Sequence, residues 1–287
     1  MSDYLIKATA YDGMVRCYVA VTTNTVEEAR KRQDTWPTAS AALGRSLTIT
    51  AIMGAMLKGD DSLTTTIAGD GALGQVVADA NAKGEVRGFV NHPHVDFPLN
   101  EQGKLDVSRA VGQGVLSVVK DQGLKDYFTG QVPIVSGEIS EDFTYYFANS
   151  EQIPSAVGAG VLVAPEDHVI AAGGFILQVM PGADEFVIEQ LEKSIAALPQ
   201  LSHFIEEGND AEAILKQLIP EDSLQILERM PIQFNCTCSK ERMLLAIKGL
   251  GAAEIESMIK EDQGAEVTCH FCNEVYNIEE TELQALL

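Results

Sequence analysis

A chain of 287 residues, 46% hydrophobic and 22% charged, carries enough apolar material for one large core and a second, smaller one, and has neither a disordered nor a disulfide-dense composition. Its 42 acidic side chains outnumber 20 basic ones, and the formal charge of -22 works against phosphate backbones and anionic bilayers, which are held by clustered Lys and Arg. Nucleic acid and membrane are not expected as partners, and MSDYLIKATAYDG has no basic start leading into an apolar run, so a cytoplasmic location is expected.

Residues 4–21 alternate around Asp12-Gly13, with Val15, Cys17, Val19 and Val21 on one face, which predicts a half-buried hairpin and makes Cys17 a core side chain. Thr25 and Glu28 have capping-box spacing for a short helix, and Pro37 suits the first turn of a second one running to about Lys58 and stopped by Gly59. That second helix carries Ala39, Ala42, Ser46, Thr50 and Gly54, small enough for other backbones to approach, and is expected at the domain's centre. Arg45 and its hydroxyl residues rule it out as a membrane span, which needs about 20 apolar residues.

Residues 63–90 read as a strand meander, with Leu63, Thr65 and Ile67 alternating before a Gly-Asp-Gly turn and a second turn near 81–84. Further strands are expected at 132–135, 157–163 and 168–179, with a polar and aromatic stretch at 140–150 compatible with a helix. From Pro181-Gly182 the texture becomes acidic and helical. Phe186, Val187, Ile188, Leu191, Ile195 and Leu198 recur near every 3.6 residues, a second run covers 211–218, and Leu224, Ile226 and Leu227 start a third that stops before Pro231. Each is too short to be stable alone and needs a neighbour to pack on. In the last segment a helix capped by Ser239, another over 252–261 and a hairpin over 266–278 are expected. The fold class is α+β: a large domain of sheet and helices at 1–179, an acidic amphipathic linker at 180–231, and a small α+β unit at 232–287.

GDGALG, with Gly69, Gly71 and Gly74, has dinucleotide-binding spacing, but Gln75, Val76, Val77 and Ala78 continue as strand where that chemistry requires a helix, so it reads as a glycine turn. His92 and His94 stand among prolines and are read as loop residues. No nucleophile elbow, phosphate loop or metalloprotease helix is present, and no enzyme activity is expected. The cysteines stand apart. Cys236 and Cys238 form a CxC and Cys269 and Cys272 a CxxC, and four thiolates suit the tetrahedral, soft-ligand preference of one zinc ion. Four protein ligands leave no place for a reactive water, so the choice lies between structural zinc and redox zinc. Thiolates are the form that oxidants attack, which makes a switch physically available. The other reading is a structural zinc-ribbon module that binds a nucleic acid or protein partner, although acidic residues outweigh Lys240, Arg242, Lys248 and Lys260 in this segment.

FNCTCSKER at Phe234 to Arg242, Leu250-Gly251 and EVTCHFCNEVY at Glu266 to Tyr276, together with WPTASAALGR, MGAMLKG, GDGALG, VADAN and GEVRGFV, resemble the redox-regulated heat-shock chaperones known as 33 kDa chaperonins. The resemblance covers nearly the whole chain. It implies a stress-response holdase that needs no nucleotide, is inactive while reduced and zinc-bound, and is activated when oxidation pairs Cys236 with Cys238 and Cys269 with Cys272. It further implies unfolded client proteins as partners and a homodimer when oxidised. Structural zinc supplies roughly 10 to 16 kcal/mol of folding free energy in small domains, comparable to the stability of a whole domain, so its loss should unfold the C-terminal unit and free the linker.

Overall fold

Alternating apolar side chains fold Tyr4–Ala10 (β1) and Val15–Val21 (β2) into the hairpin expected around Asp12-Gly13, where Gly13 takes the positive φ that the turn demands. The computed structural model describes residues 2–287. Helix α1 (Thr23–Gln33) is followed by α2 (Pro37–Ala55), with Pro37 at its start. The meander is β3 (Ser62–Gly69), β4 (Gln75–Asn81) and β5 (Glu85–Val90), and after a short α3 (Val107–Val111) it is extended by β6 (Gly114–Asp121) and β7 (Phe128–Pro133). Helix α4 (Ser140–Tyr146) leads to the long strands β8 (Ser155–Val163) and β9 (Val169–Val179). Then come α5 (Glu185–Ala197), α6 (Leu201–Glu206), α7 (Ala211–Leu218), β10 (Leu224–Pro231) and the two-residue β11 (Gln233–Phe234). The chain ends with α8 (Lys240–Lys248), α9 (Ala252–Glu261), the hairpin β12 (Gly264–Thr268) and β13 (Val275–Glu279), and α10 (Glu280–Gln284). It divides into two compact units, one ending at Phe234 and the other spanning Asn235–Leu287.

Helix α2 is the centre of the first unit, as its small residues predict. All its residues except Pro37 and Arg45 are buried, because it lies between a five-stranded sheet, β10-β1-β2-β9-β8, and a six-stranded sheet, β11-β5-β4-β3-β6-β7. A helix buried on every side must satisfy its hydroxyls internally. Thr48 pairs with Thr22 at 2.6 Å, Thr50 with Thr65 at 2.7 Å, and Ser46 donates to the Ala42 carbonyl at 2.9 Å.

The five-stranded sheet is covered on both faces. Leu5, Ala20, Ala172 and Ile176 point to the α2 side. Ile6, Ala8, Ala10, Val15, Cys17, Val19, Phe175 and Leu177 point the other way, where Val187, Leu191, Leu201, Ile205, Ile214, Leu215 and Leu218 from α5–α7 bury them. The acidic helices thus find in this sheet the neighbour they require, with their charged residues turned to water. Among the described residues no helix is long and apolar enough to cross a membrane.

Two local expectations are overturned. Residues 224–230, read as helix, form β10, because the open edge of β1 offers a row of main-chain partners that outweighs the weak helical pattern of so short a segment. The capping box at Thr25 and Glu28 does not form. Helix α1 begins at Thr23, and the Asp3 carboxylate, from the start of the chain, accepts from the Asn24 and Thr25 amides at 3.1 and 2.6 Å.

Leu215, on the sheet-facing side of α7, is fully buried, so Leu215→Ala should cost about 2–5 kcal/mol of packing in this layer. Limited proteolysis should cut residues 181–220 faster than in the unsubstituted chain while the two-sheet core survives. Unchanged resistance would contradict the burial described.

Candidate metal centre

The C-terminal unit has little to hold it together. Besides two cysteines, its buried apolar side chains are Ile247, Ile255, Ile278 and Leu283, a core of the size that ordinarily needs a metal or a disulfide. Lys240 on α8 reaches Glu282 on α10 at 2.7 Å, an exposed ion pair of small worth.

The two cysteine pairs are delivered by different devices. Cys236 and Cys238 lie on the segment entering α8, whose first turn is capped by Ser239 accepting from the Arg242 amide at 3.3 Å. The Arg242 guanidinium returns to the Thr237 carbonyl and hydroxyl at 2.9 and 2.6 Å, fixing the residue between the two sulfurs. Cys269 and Cys272 occupy the turn of the β12–β13 hairpin, as the sequence predicts. There the Cys269 amide donates to the Glu274 carbonyl at 2.9 Å, the Asn273 amide donates to the Cys269 carbonyl at 2.8 Å, and Asn273 takes a left-handed φ of 55°.

The sulfur atoms of all four cysteines lie within 4.8 Å of one another. Two close approaches run between the two segments, Cys236 to Cys269 at 3.7 Å and Cys238 to Cys272 at 3.3 Å. A tetrahedron with metal–sulfur bonds of about 2.3 Å has sulfur–sulfur edges of about 3.8 Å, so the cage has the dimensions of a tetrathiolate shell. His270, on the surface beside Cys269, is not part of this cluster.

Burial pushes the Cys269 thiol up, against the amides of Phe271 and Cys272 that point at its sulfur, and burial followed by its sulfur neighbours pushes Cys272 up more strongly. Thiols so placed resist ionising together unless a cation sits among them, so the donor set suits a soft divalent metal. Tyr276 is a contributor that the sequence reading missed. From β13, opposite Val267, it donates its hydroxyl to the Cys238 sulfur at 3.1 Å.

Other candidate residues behave as loop and core. Gly69, Gly71 and Gly74 form the β3–β4 turn, and a Cβ on Gly69 would lie 1.9 Å from the Val111 carbonyl oxygen, which explains glycine there without a nucleotide. His94 contacts Asp34 at 2.9 Å and packs on the Trp36 ring. Cys17 is wholly enclosed under α7, and burial raises its thiol to about 12.

A family model described as "Hsp33 protein" matches residues 3–279. The chain is 65% identical to the 33 kDa chaperonin of Oceanobacillus iheyensis over 287 residues, covering all of this chain and 99% of the relative. It is 60% identical to the 33 kDa chaperonin of Staphylococcus aureus strain Newman over 286 residues, covering 99% and 98% of the two chains. Among solved structures, the 33 kDa chaperonin of Thermotoga maritima superposes with a TM-score of 0.93 at 39% identity, over all of this chain and 98% of that one.

Thiol labelling separates the centre from the core. After chelation, the four clustered cysteines should react with iodoacetamide at neutral pH and Cys17 only after denaturation. Cys17→Ala should leave metal content unchanged, whereas Cys272→Ser should lower metal affinity at least about 100-fold. Metal retained by C272S, or lost by C17A, would contradict the assignment.

Proposed function

The chain belongs to the Hsp33 family of chaperones, and from that premise we propose that it is a redox-gated holdase, an ATP-independent chaperone kept inactive by one zinc ion on Cys236, Cys238, Cys269 and Cys272. The observation that carries this reading is the sulfur cage set in a unit whose apolar cluster has four buried side chains. When bound, zinc supplies the charge that keeps four sulfurs together as thiolates and closes the unit.

Oxidation removes that reason for the two segments to meet. In each pair one thiolate attacks a peroxide oxygen, the O–O bond breaks and hydroxide leaves. The second thiolate then displaces hydroxide from the sulfenic sulfur, so two sulfurs give up two electrons and, with two protons, one peroxide becomes two waters. The pairing of Cys236 with Cys238 and of Cys269 with Cys272 is the one that the resemblance to the family implies. Neither disulfide bridges the segments, so the C-terminal unit loses its clasp and unfolds.

Residues 180–231 then act as a releasable linker between a client-binding domain at 1–179 and the zinc unit at 232–287. When α5–α7 lift, Ile6, Ala8, Val15, Val19, Phe175 and Leu177 become an apolar surface for unfolding clients. On this reading the active form is a cytoplasmic homodimer, performs no catalysis, and uses neither nucleic acid nor membrane. The surplus of acidic residues keeps the loaded complex in solution.

Light scattering by a heat-unfolding client tests the switch. Peroxide-treated, gently warmed chain should suppress aggregation near stoichiometrically, and reduced, zinc-loaded chain should do so weakly. Equal suppression by both forms would leave a structural zinc module and no switch.

A further inference from the structure

The end strand of a sheet presents outward N–H and C=O groups that some other chain must cover. On β1 the cover is β10. Leu5 pairs with Met230, Ile6 with Arg229 and Ala10 with Leu224, with a slip between Lys7 and Ala8. On β5 the cover is β11, which pairs in parallel through Gln233 with Glu85 and Phe234 with Val86. Both covers belong to one run of chain, residues 224–234, that ends two residues before Cys236.

Cover and template are unequal. Of the eight residues of β10 only Met230 is buried, and Leu227 is 59% exposed. Apart from Met230, which joins the core around α2, and the half-buried Leu224 and Ile226, its side-chain ties are the ion pairs of Glu228 with Lys7 at 2.9 Å and Arg229 with Glu212 at 2.5 Å, and water reaches both. Main-chain hydrogen bonds therefore do most of the holding, and these make no demand on sequence. Strand β1, in contrast, buries Leu5, Ile6, Ala8 and Ala10 and is bonded along its other side to β2. It keeps a partner when β10 leaves.

The side chains that β10 does use show what the edge accepts. Leu224 and Ile226, two apart, lean on the same apolar cluster that α5–α7 cover. Loss of the linker uncovers edge and face together, main-chain partners beside a row of Ile6, Ala8 and Ala10. We propose that the β1 edge vacated by β10 is a client-binding site, and that its occupant is an extended segment of unfolded polypeptide, apolar at every second residue, added as a strand in β10's place. The proposal rests on the redox-gated reading and goes beyond it, since apolar contact alone requires no strand.

Amide hydrogen exchange on the full chain tests it, in reduced zinc-loaded form, oxidised form, and oxidised form with reduced, carboxymethylated α-lactalbumin as a permanently unfolded client. In β1 alternate amides bond β10 and the others bond β2, so the strand carries its own reference. The β10-facing amides should exchange about tenfold faster or more after oxidation and slow again by about tenfold with client bound, while the β2-facing ones stay slow throughout. Three results overturn the proposal: protection that survives oxidation, protection regained without client in step with chain concentration, which puts a second copy on the edge, and an edge left open while client co-elutes. Absence of co-elution overturns the holdase reading itself, so the two failures are told apart.

Discussion

Thiolates crowded into one place repel one another, and in the unit from Asn235 to Leu287 only four apolar side chains besides the cysteines are buried to resist that repulsion. Cys236 and Cys238 enter on the approach to one helix, Cys269 and Cys272 on the turn of a hairpin, and the contacts between the pairs at 3.3 and 3.7 Å make sense around a shared cation. The order of the unit and the chemistry of its sulfurs are thus one property. On the proposed reading, a change in the oxidation state of four atoms is a change in folding free energy comparable to the stability of a small domain.

The larger unit has hydrophobic clusters of its own. Its central helix α2 is enclosed by both sheets, with hydroxyl pairs such as Thr22 with Thr48 closing the polar gaps. On the far side of the five-stranded sheet the cover is a set of short acidic helices that no sequence of their length keeps folded in isolation. On the proposed reading one sheet therefore has a permanent face and a releasable one. The same layer continues into β10 and β11, and the chain then runs directly into the first cysteine pair.

Much of this was legible in the sequence because the signals are local. The Asp12-Gly13 hairpin, the 63–90 meander, the small residues of α2, Ser239 as a cap and the CxC and CxxC spacings each depend on neighbours a few positions away. The parts that were not legible depend on distant partners. Residues 224–230 become strand because β1 has an open edge, and α1 starts at Thr23 because Asp3 meets it from another element. Strand β6 passed unread, and Tyr276 gave no sign that its hydroxyl reaches Cys238, a sulfur 38 residues earlier. The face that α5–α7 bury could be inferred to exist from their amphipathic pattern but was identified only by the register of β1, β2 and β9.

The central claim is that the metal, and not the apolar core, keeps the C-terminal unit folded. The direct measurement is to strip the metal from the reduced chain with a chelator, with no oxidant present, and follow amide exchange in α9, β12 and β13. These amides should exchange at rates near those of an unfolded chain, and recover when zinc is returned. A stripped unit as protected as the loaded one would contradict the account.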